Sequence, residues 1–167
     1  APPSTIDSIQ QVIKQCPGVV ATHQIRTRLH GSTVLVDCHI IVDPYISVSE
    51  GHFIGDHVKF RLMKELPHIT DVTIHIDSED DDESLKSFAL PNREEVKNQL
   101  QLSCQHLPAV NQIQRYHLHY LNETISIEIV LPLTILQQHT ASALQTQYEK
   151  AIKSLDFIST ILLSYRP

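Results

Sequence analysis

The segment DVTIHID, residues 71 to 77, sets an imidazole and a carboxylate two residues apart. Val72, Ile74 and Ile76 alternate there with Thr73, His75 and Asp77. Successive side chains of a strand point to opposite faces, so this is a half-buried strand whose polar face carries His75 and Asp77 together. Other groups of the same chemistry precede it. His39 lies on the polar face of a second strand pattern, His23 lies in a first, and His52 lies in the first turn of a helix, with Asp56 one turn further along the same face. Imidazole nitrogen and carboxylate oxygen together suit a borderline divalent cation such as zinc. A carboxylate has two oxygens and can bridge two ions, so four histidines and one aspartate suffice for one full site or two open ones. His30, His57 and His68 read as surface residues.

Strands and one helix must position these groups. In TVLVDCHIIVD, residues 33 to 43, Val34, Val36, Cys38, Ile40 and Val42 share one face, and Leu35, Asp37, His39, Ile41 and Asp43 share the other. Gly31-Ser32 is a two-residue hairpin turn. That register pairs His30 with Thr33 and Gln24 with His39. Strict alternation then puts His23 on the apolar face with Ile25 and Cys38, so ligation by His23 needs a bulge, or a place before the regular strand begins. Ser47 is a helix cap with Glu50 three residues on. Ile54, Val58, Leu62 and Leu66 recur at helical spacing and should pack on the sheet.

The two halves of the chain echo one another. Each has a helical stretch, then Cys, Pro and Val, a strand, a tight turn, a second strand, a longer helical segment and a last strand. The expected fold is α+β: two tandem ferredoxin-like α-β-β-α-β repeats, each a small antiparallel or mixed sheet with helices on one face. The expected boundaries are residues 1–77 for the first repeat, 78–91 for an acidic linker and 92–167 for the second. The linker holds the run Glu79 to Glu83, which reads as solvated, and Pro91-Asn92 leads into a helix. It lacks the glycine and ligand spacing of a calcium loop. At a constant offset Gln114 falls where His23 is and Val130 where His39 is, and the final strand ISTILLSYRP has no His-x-Asp. The second repeat therefore keeps the fold and lacks the site. His117 and His119 share a strand face with Glu128 opposite His117, a solvated hairpin face.

Composition bounds the function. The chain has 167 residues and a net charge of −6, which offers no basic face for nucleic acid. Seven of its eleven histidines precede residue 80. Three cysteines without CxxC spacing argue against a disulfide framework and for a reducing compartment. No apolar run approaches membrane-spanning length and no signal peptide is visible. The first residue is not Met, which leaves room for a neighbouring segment outside this sequence.

The order PGVVATHQIRTR, VDCHIIVDPYISVSEGHFIGDHV, DVTIHID, within an α-β-β-α-β pattern from about Ile6 to Asp77, resembles the cytoplasmic C-terminal domain of the cation diffusion facilitator family of metal-efflux transporters. Bacterial members show Pro-Gly-Val, then His-x-x-Arg-Thr-Arg on the first strand, a His on the second, a small residue and His at the start of the second helix, and His-x-Asp on the last strand. His23, His39, His52, His75 and Asp77 match in turn. The resemblance implies that these residues hold a pair of zinc ions, with Asp77 shared between them. It implies a metal-binding regulatory domain on the cytoplasmic face of a membrane, attached to a transmembrane transport portion outside this chain, and not an enzyme. Such domains commonly pair across a two-fold axis, and here the second repeat could take the partner's place within one chain or extend the dimer. Imidazole-rich ligation favours zinc, cobalt, nickel or iron(II) over magnesium and calcium. Two rival readings compete. Paired ferredoxin-like units often bind amino acids at their interface, but few glycines fall near the expected turns. A zinc hydrolase would need a separate base such as an HExxH glutamate, and none is apparent.

Overall fold

The structure, a computed structural model, describes residues 2–80 and 89–167, so the part of the acidic run from Asp81 to Glu83 lies outside the described residues. Two compact units divide near residue 82. Each has the expected α-β-β-α-β order.

The first unit runs α1 (Pro3–Lys14), β1 (Ala21–His30), β2 (Thr33–Ile41), α2 (Val48–Glu65) and β3 (Ile69–Asp77). Its sheet has the order β1-β2-β3, with β1 antiparallel and β3 parallel to the central β2. The parallel pair follows from α2, since two strands running the same way need a long crossover between them. Val34, Val36, Cys38, Ile40 and Val42 are all buried, as the alternation requires. They pack on Ile9, Val12 and Ile13 of α1 and on Ile54, Val58 and Leu62 of α2, while Leu66 closes the end of that helix against the same core. Both helices thus cover one face of the sheet, and the other face is left to the polar residues.

Local chemistry sets the ends of these elements. The Ser47 hydroxyl accepts from the Glu50 amide at 3.1 Å, satisfying one of the orphan donors of the first turn of α2. Gly31 has φ +63°, as the first central residue of a II′ hairpin turn requires. Gly18, between α1 and β1, has φ +88°, and a Cβ there would lie 2.6 Å from the Ile54 side chain. That position tolerates no other residue without strain.

The second unit runs α3 (Arg93–Ser103), β4 (Arg115–Leu121), β5 (Thr124–Pro132), α4 (Ala141–Ala151) and β6 (Ile158–Arg166), with sheet order β4-β5-β6. Asn92 and Glu95 form a reciprocal capping box at the start of α3. Ile125, Ile127, Ile129 and Leu131 of β5 are buried against Val96, Leu100, Leu144 and Tyr148. The Tyr148 hydroxyl, inside this core, donates to the Pro108 carbonyl at 2.8 Å. The hairpin turn is of a different kind, since Asn122 and Glu123 both have positive φ, the I′ arrangement. Among the described residues no helix is long and apolar enough to cross a membrane.

The register of β1 departs from the one expected. His30 pairs with Thr33, but His39 pairs with His23 rather than Gln24. The ladder slips between His23 and Arg26, where Gln24 takes a left-handed backbone with φ +48°. Two residues, Gln24 and Ile25, there oppose the single Cys38, which defines a bulge. In the second unit β4 and β5 pair without interruption from Arg115 opposite Val130 to Leu121 opposite Thr124. β1 therefore holds one residue more than β4 between the equivalent pairs. The constant offset fails upstream of it, and Arg115, not Gln114, is the residue opposite Val130.

Candidate metal centre

The bulge decides where His23 points. Upstream of it His23 returns to the face of its partner His39, away from the helices. After an irregularity at its start, β3 runs in step with β2 from Asp71 opposite Leu35, so His75 pairs with His39 and Asp77 with Ile41. Three strands thus bring His23, His39, His75 and Asp77 to one end of the open face.

Three of these converge. One ligand atom from each of His23, His39 and Asp77 lies within 4.8 Å of the others. Oδ2 of Asp77 is 3.0 Å from Nε2 of His23 and 2.8 Å from Nδ1 of His39. The two rings meet edge to face with centroids 5.3 Å apart. The side chains are 14% exposed for His23, 28% for His39 and 25% for Asp77, enough shielding to strengthen their attraction and enough opening to admit an ion. Two imidazole nitrogens and one carboxylate oxygen within such a span form a donor set of the kind that divalent transition metals take.

The other two expected residues stand apart from this trio. His75 stacks on His39, with centroids 4.3 Å apart and planes 13° apart, and its Nε2 lies 3.2 Å from Oδ1 of Asp37. His52 pairs with Asp56 one helical turn on, Nε2 to Oδ2 at 3.3 Å, and its side chain is 75% exposed. Two carboxylates that sequence reasoning left out also touch the histidines: Asp37 at His75, and Asp80, whose Oδ1 lies 3.4 Å from Nδ1 of His23. Asp37 shares a strand face with His39, and that alternation was the available signal. Asp80 follows the end of β3, where periodicity gives no direction.

Among the described residues the second unit holds no counterpart. Ser164 pairs with Val130 as His75 pairs with His39, and Arg166 pairs with Pro132 as Asp77 pairs with Ile41. A hydroxyl and a guanidinium replace the imidazole and the carboxylate of β3. His117 faces Glu128 as expected, and among the described residues neither joins a group of three that could hold an ion.

All three cysteines are buried and unpaired with one another. Burial pushes the Cys38 thiol, on the core side of the strand that carries His39, up to about 12. It pushes Cys104 up to about 11. Cys38 points into the core rather than toward the trio.

Residues 1–79 match the family model of the cation efflux protein, cytoplasmic domain. The first repeat is similar to the cytoplasmic domain of cation efflux proteins. The chain is 40% identical over 76 residues to metal tolerance protein C1 of Arabidopsis thaliana, covering 46% of this chain and 16% of that protein. It is 38% identical over 76 residues to metal tolerance protein 2 of Oryza sativa subsp. japonica, covering 46% and 20%. It is 34% identical over 70 residues to the cation-efflux pump FieF of Pectobacterium atrosepticum, covering 42% and 23%. The chain thus spans at most about a quarter of the length of these relatives. Among solved structures, a manganese form of MamM CTD is 24% identical, covers 46% of this chain and 96% of that one, and has a TM-score of 0.44.

Proposed function

We propose that this chain is a regulatory metal-binding module of a divalent-cation efflux transporter, placed on the cytoplasmic face of the membrane and attached to a transport portion outside these residues. The observation that carries the proposal is the convergence of His23, His39 and Asp77 from three strands on one small volume. In this reading zinc is the ion, His23, His39 and Asp77 are its first ligands, and His75 and His52 complete the set. His75 is the nearer of the two through its stack on His39; the inclusion of His52 rests on the family pattern. The first repeat, residues 1–77, binds the ion. Residues 78–91 link it to the second, residues 92–167, which serves in self-association or as an internal partner.

The mechanism is linkage. Without an ion, both imidazoles approach the same carboxylate oxygen, each with a ring N–H as the available donor. His23, His39 and Asp77 would hold a cation whose charge takes the place of those protons, and because they lie on β1, β2 and β3 that shared ligation would tie the outer strands together. A ligand shifts a conformational balance by its differential affinity for the two states, so an ion that needs this closed trio favours the arrangement of domains in which it exists. The reading is one of binding rather than turnover, since the trio's own groups are engaged with one another and no catalytic base is assigned among them.

Calorimetry with zinc tests the proposal. Asp77→Ala removes the group that both rings approach, and binding should be largely lost. Equal affinity in that variant overturns the site.

A further inference from the structure

Two contacts fix the ring of His75 although it lies outside the trio. Its Nε2 is 3.2 Å from Oδ1 of Asp37, and its plane is stacked on His39 at 4.3 Å. The backbone accounts for both. His39 and His75 are paired across β2 and β3, while Asp37 precedes His39 by two residues on the same face and so stands diagonal to His75. Arg26, the residue directly opposite Asp37 on β1, donates instead to Oε1 of Gln24 at 3.3 Å, which leaves the Asp37 carboxylate to His75.

We infer that Asp37 is a positioning residue for the metal centre: by accepting from Nε2–H of His75 it fixes the tautomer that leaves Nδ1 as the nitrogen able to ligate. The inference rests on the metal-binding reading above. An ionised carboxylate only accepts hydrogen bonds, and a neutral imidazole has one N–H and one lone pair. The proton is therefore on Nε2 and the lone pair on Nδ1. The stack on His39 allows two ring orientations related by a half-turn. Only one keeps Nε2 at Asp37, so the carboxylate selects between them. A carboxylate behind a ligating imidazole also makes its free nitrogen more basic. Asp37 and His75 are 47% and 48% exposed, so their contact contributes little to folding and its loss is separable from loss of structure.

The test uses the full 167-residue chain. Long-range proton–nitrogen spectra of the metal-free protein at pH 8 should show His75 as the Nε2–H tautomer, and Asp37→Ala should convert it to a mixture. Zinc affinity, measured in competition with a chelator, should fall by about 10–100-fold in Asp37→Ala. Asp37→Asn, whose amide oxygen still accepts, should recover part of the loss. Asp71→Ala is the control: it removes an equal charge from the same face at a residue paired with Lys59 at 3.8 Å, and it should leave affinity near wild type. An Nδ1–H tautomer in the wild type, or equal effects of Asp37→Ala and Asp71→Ala, overturns the positioning role. If wild-type protein takes up no zinc, the metal-binding reading falls, and the tautomer alone decides whether Asp37 sets the ring.

Discussion

His23 stands opposite His39 because Gln24 is held in a left-handed backbone one residue away. A regular ladder through the same residues would put Gln24 opposite His39 and turn His23 to the core. The conformation is unfavourable for a residue with a Cβ, by about 1–2 kcal/mol. Gln24→Gly should therefore leave zinc affinity unchanged and keep or raise the melting temperature of the first repeat. Gln24→Val, whose branched side chain resists positive φ, should cost about 1–2 kcal/mol and weaken zinc binding by drawing His23 out of the site. Thermal melts with zinc titrations decide it; indistinguishable behaviour of the two variants would mean that the bulge does not hold His23.

Zinc affinity should depend steeply on pH. A ligating imidazole must be neutral, and the reference pKa of imidazole is about 6.5. With at least two histidines giving up protons as the ion binds, affinity should fall more than about tenfold per unit between about pH 7 and pH 5.5. Titrations at pH 7.5, 6.5 and 5.5 provide the check. A flat profile would assign any bound ion to carboxylates instead.

The second repeat should take up no zinc. Arg115, Val130, Ser164 and Arg166 occupy the places that the first repeat fills with His23, His39, His75 and Asp77. In the full chain the double variant His39→Ala/Asp77→Ala should retain no tight zinc site. Stoichiometric uptake by that variant at micromolar zinc would locate a centre outside the first repeat.

Stability should fall on the alkaline side. Cys38 and Cys104 have ordinary values of 9.0, raised by burial to about 12 and about 11 in the folded chain. A raised folded pKa means that the unfolded chain loses its protons first. The stabilisation is thus fully present below about pH 9 and is lost as pH rises through 11 to 12. Burial shifts Tyr148 in the same direction. Each unit of separation is worth about 1.4 kcal/mol. Melting temperature followed from pH 7 to pH 11 should hold level and then drop above pH 9; a level curve to pH 11 would show that these thiols ionise in the folded chain as readily as in the unfolded one.

Much of the fold and part of the site could be read before any coordinates. Alternation in TVLVDCHIIVD gave the faces of β2, the Ser47 cap gave the start of α2, and Gly31-Ser32 gave the turn, because each depends on residues close in sequence. His-x-Asp on β3 gave the direction of His75 and Asp77 for the same reason. The bulge was only a stated requirement, since nothing in Gln24 distinguishes it from any other strand residue. Which histidines converge depends on strand pairing across tens of residues. That is why His23, His39 and Asp77 meet while His75 turns to Asp37. The exposed pairing of His52 with Asp56, four residues on, was legible from helix spacing alone.

The mixed order of the first sheet has a consequence for folding. His23 and Asp77 lie on its two outer strands and are 54 residues apart in sequence, yet their side chains touch. An ion joining them would close a loop that contains the hairpin, α2 and all of β3. Long-range closure of this kind forms late, after the costly search that brings distant strands together. A bond made late slows the reverse step more than it speeds the forward one. Metal would thus act on the first repeat mainly as a brake on its opening, lengthening the lifetime of that repeat while leaving the second to open and close at its own pace.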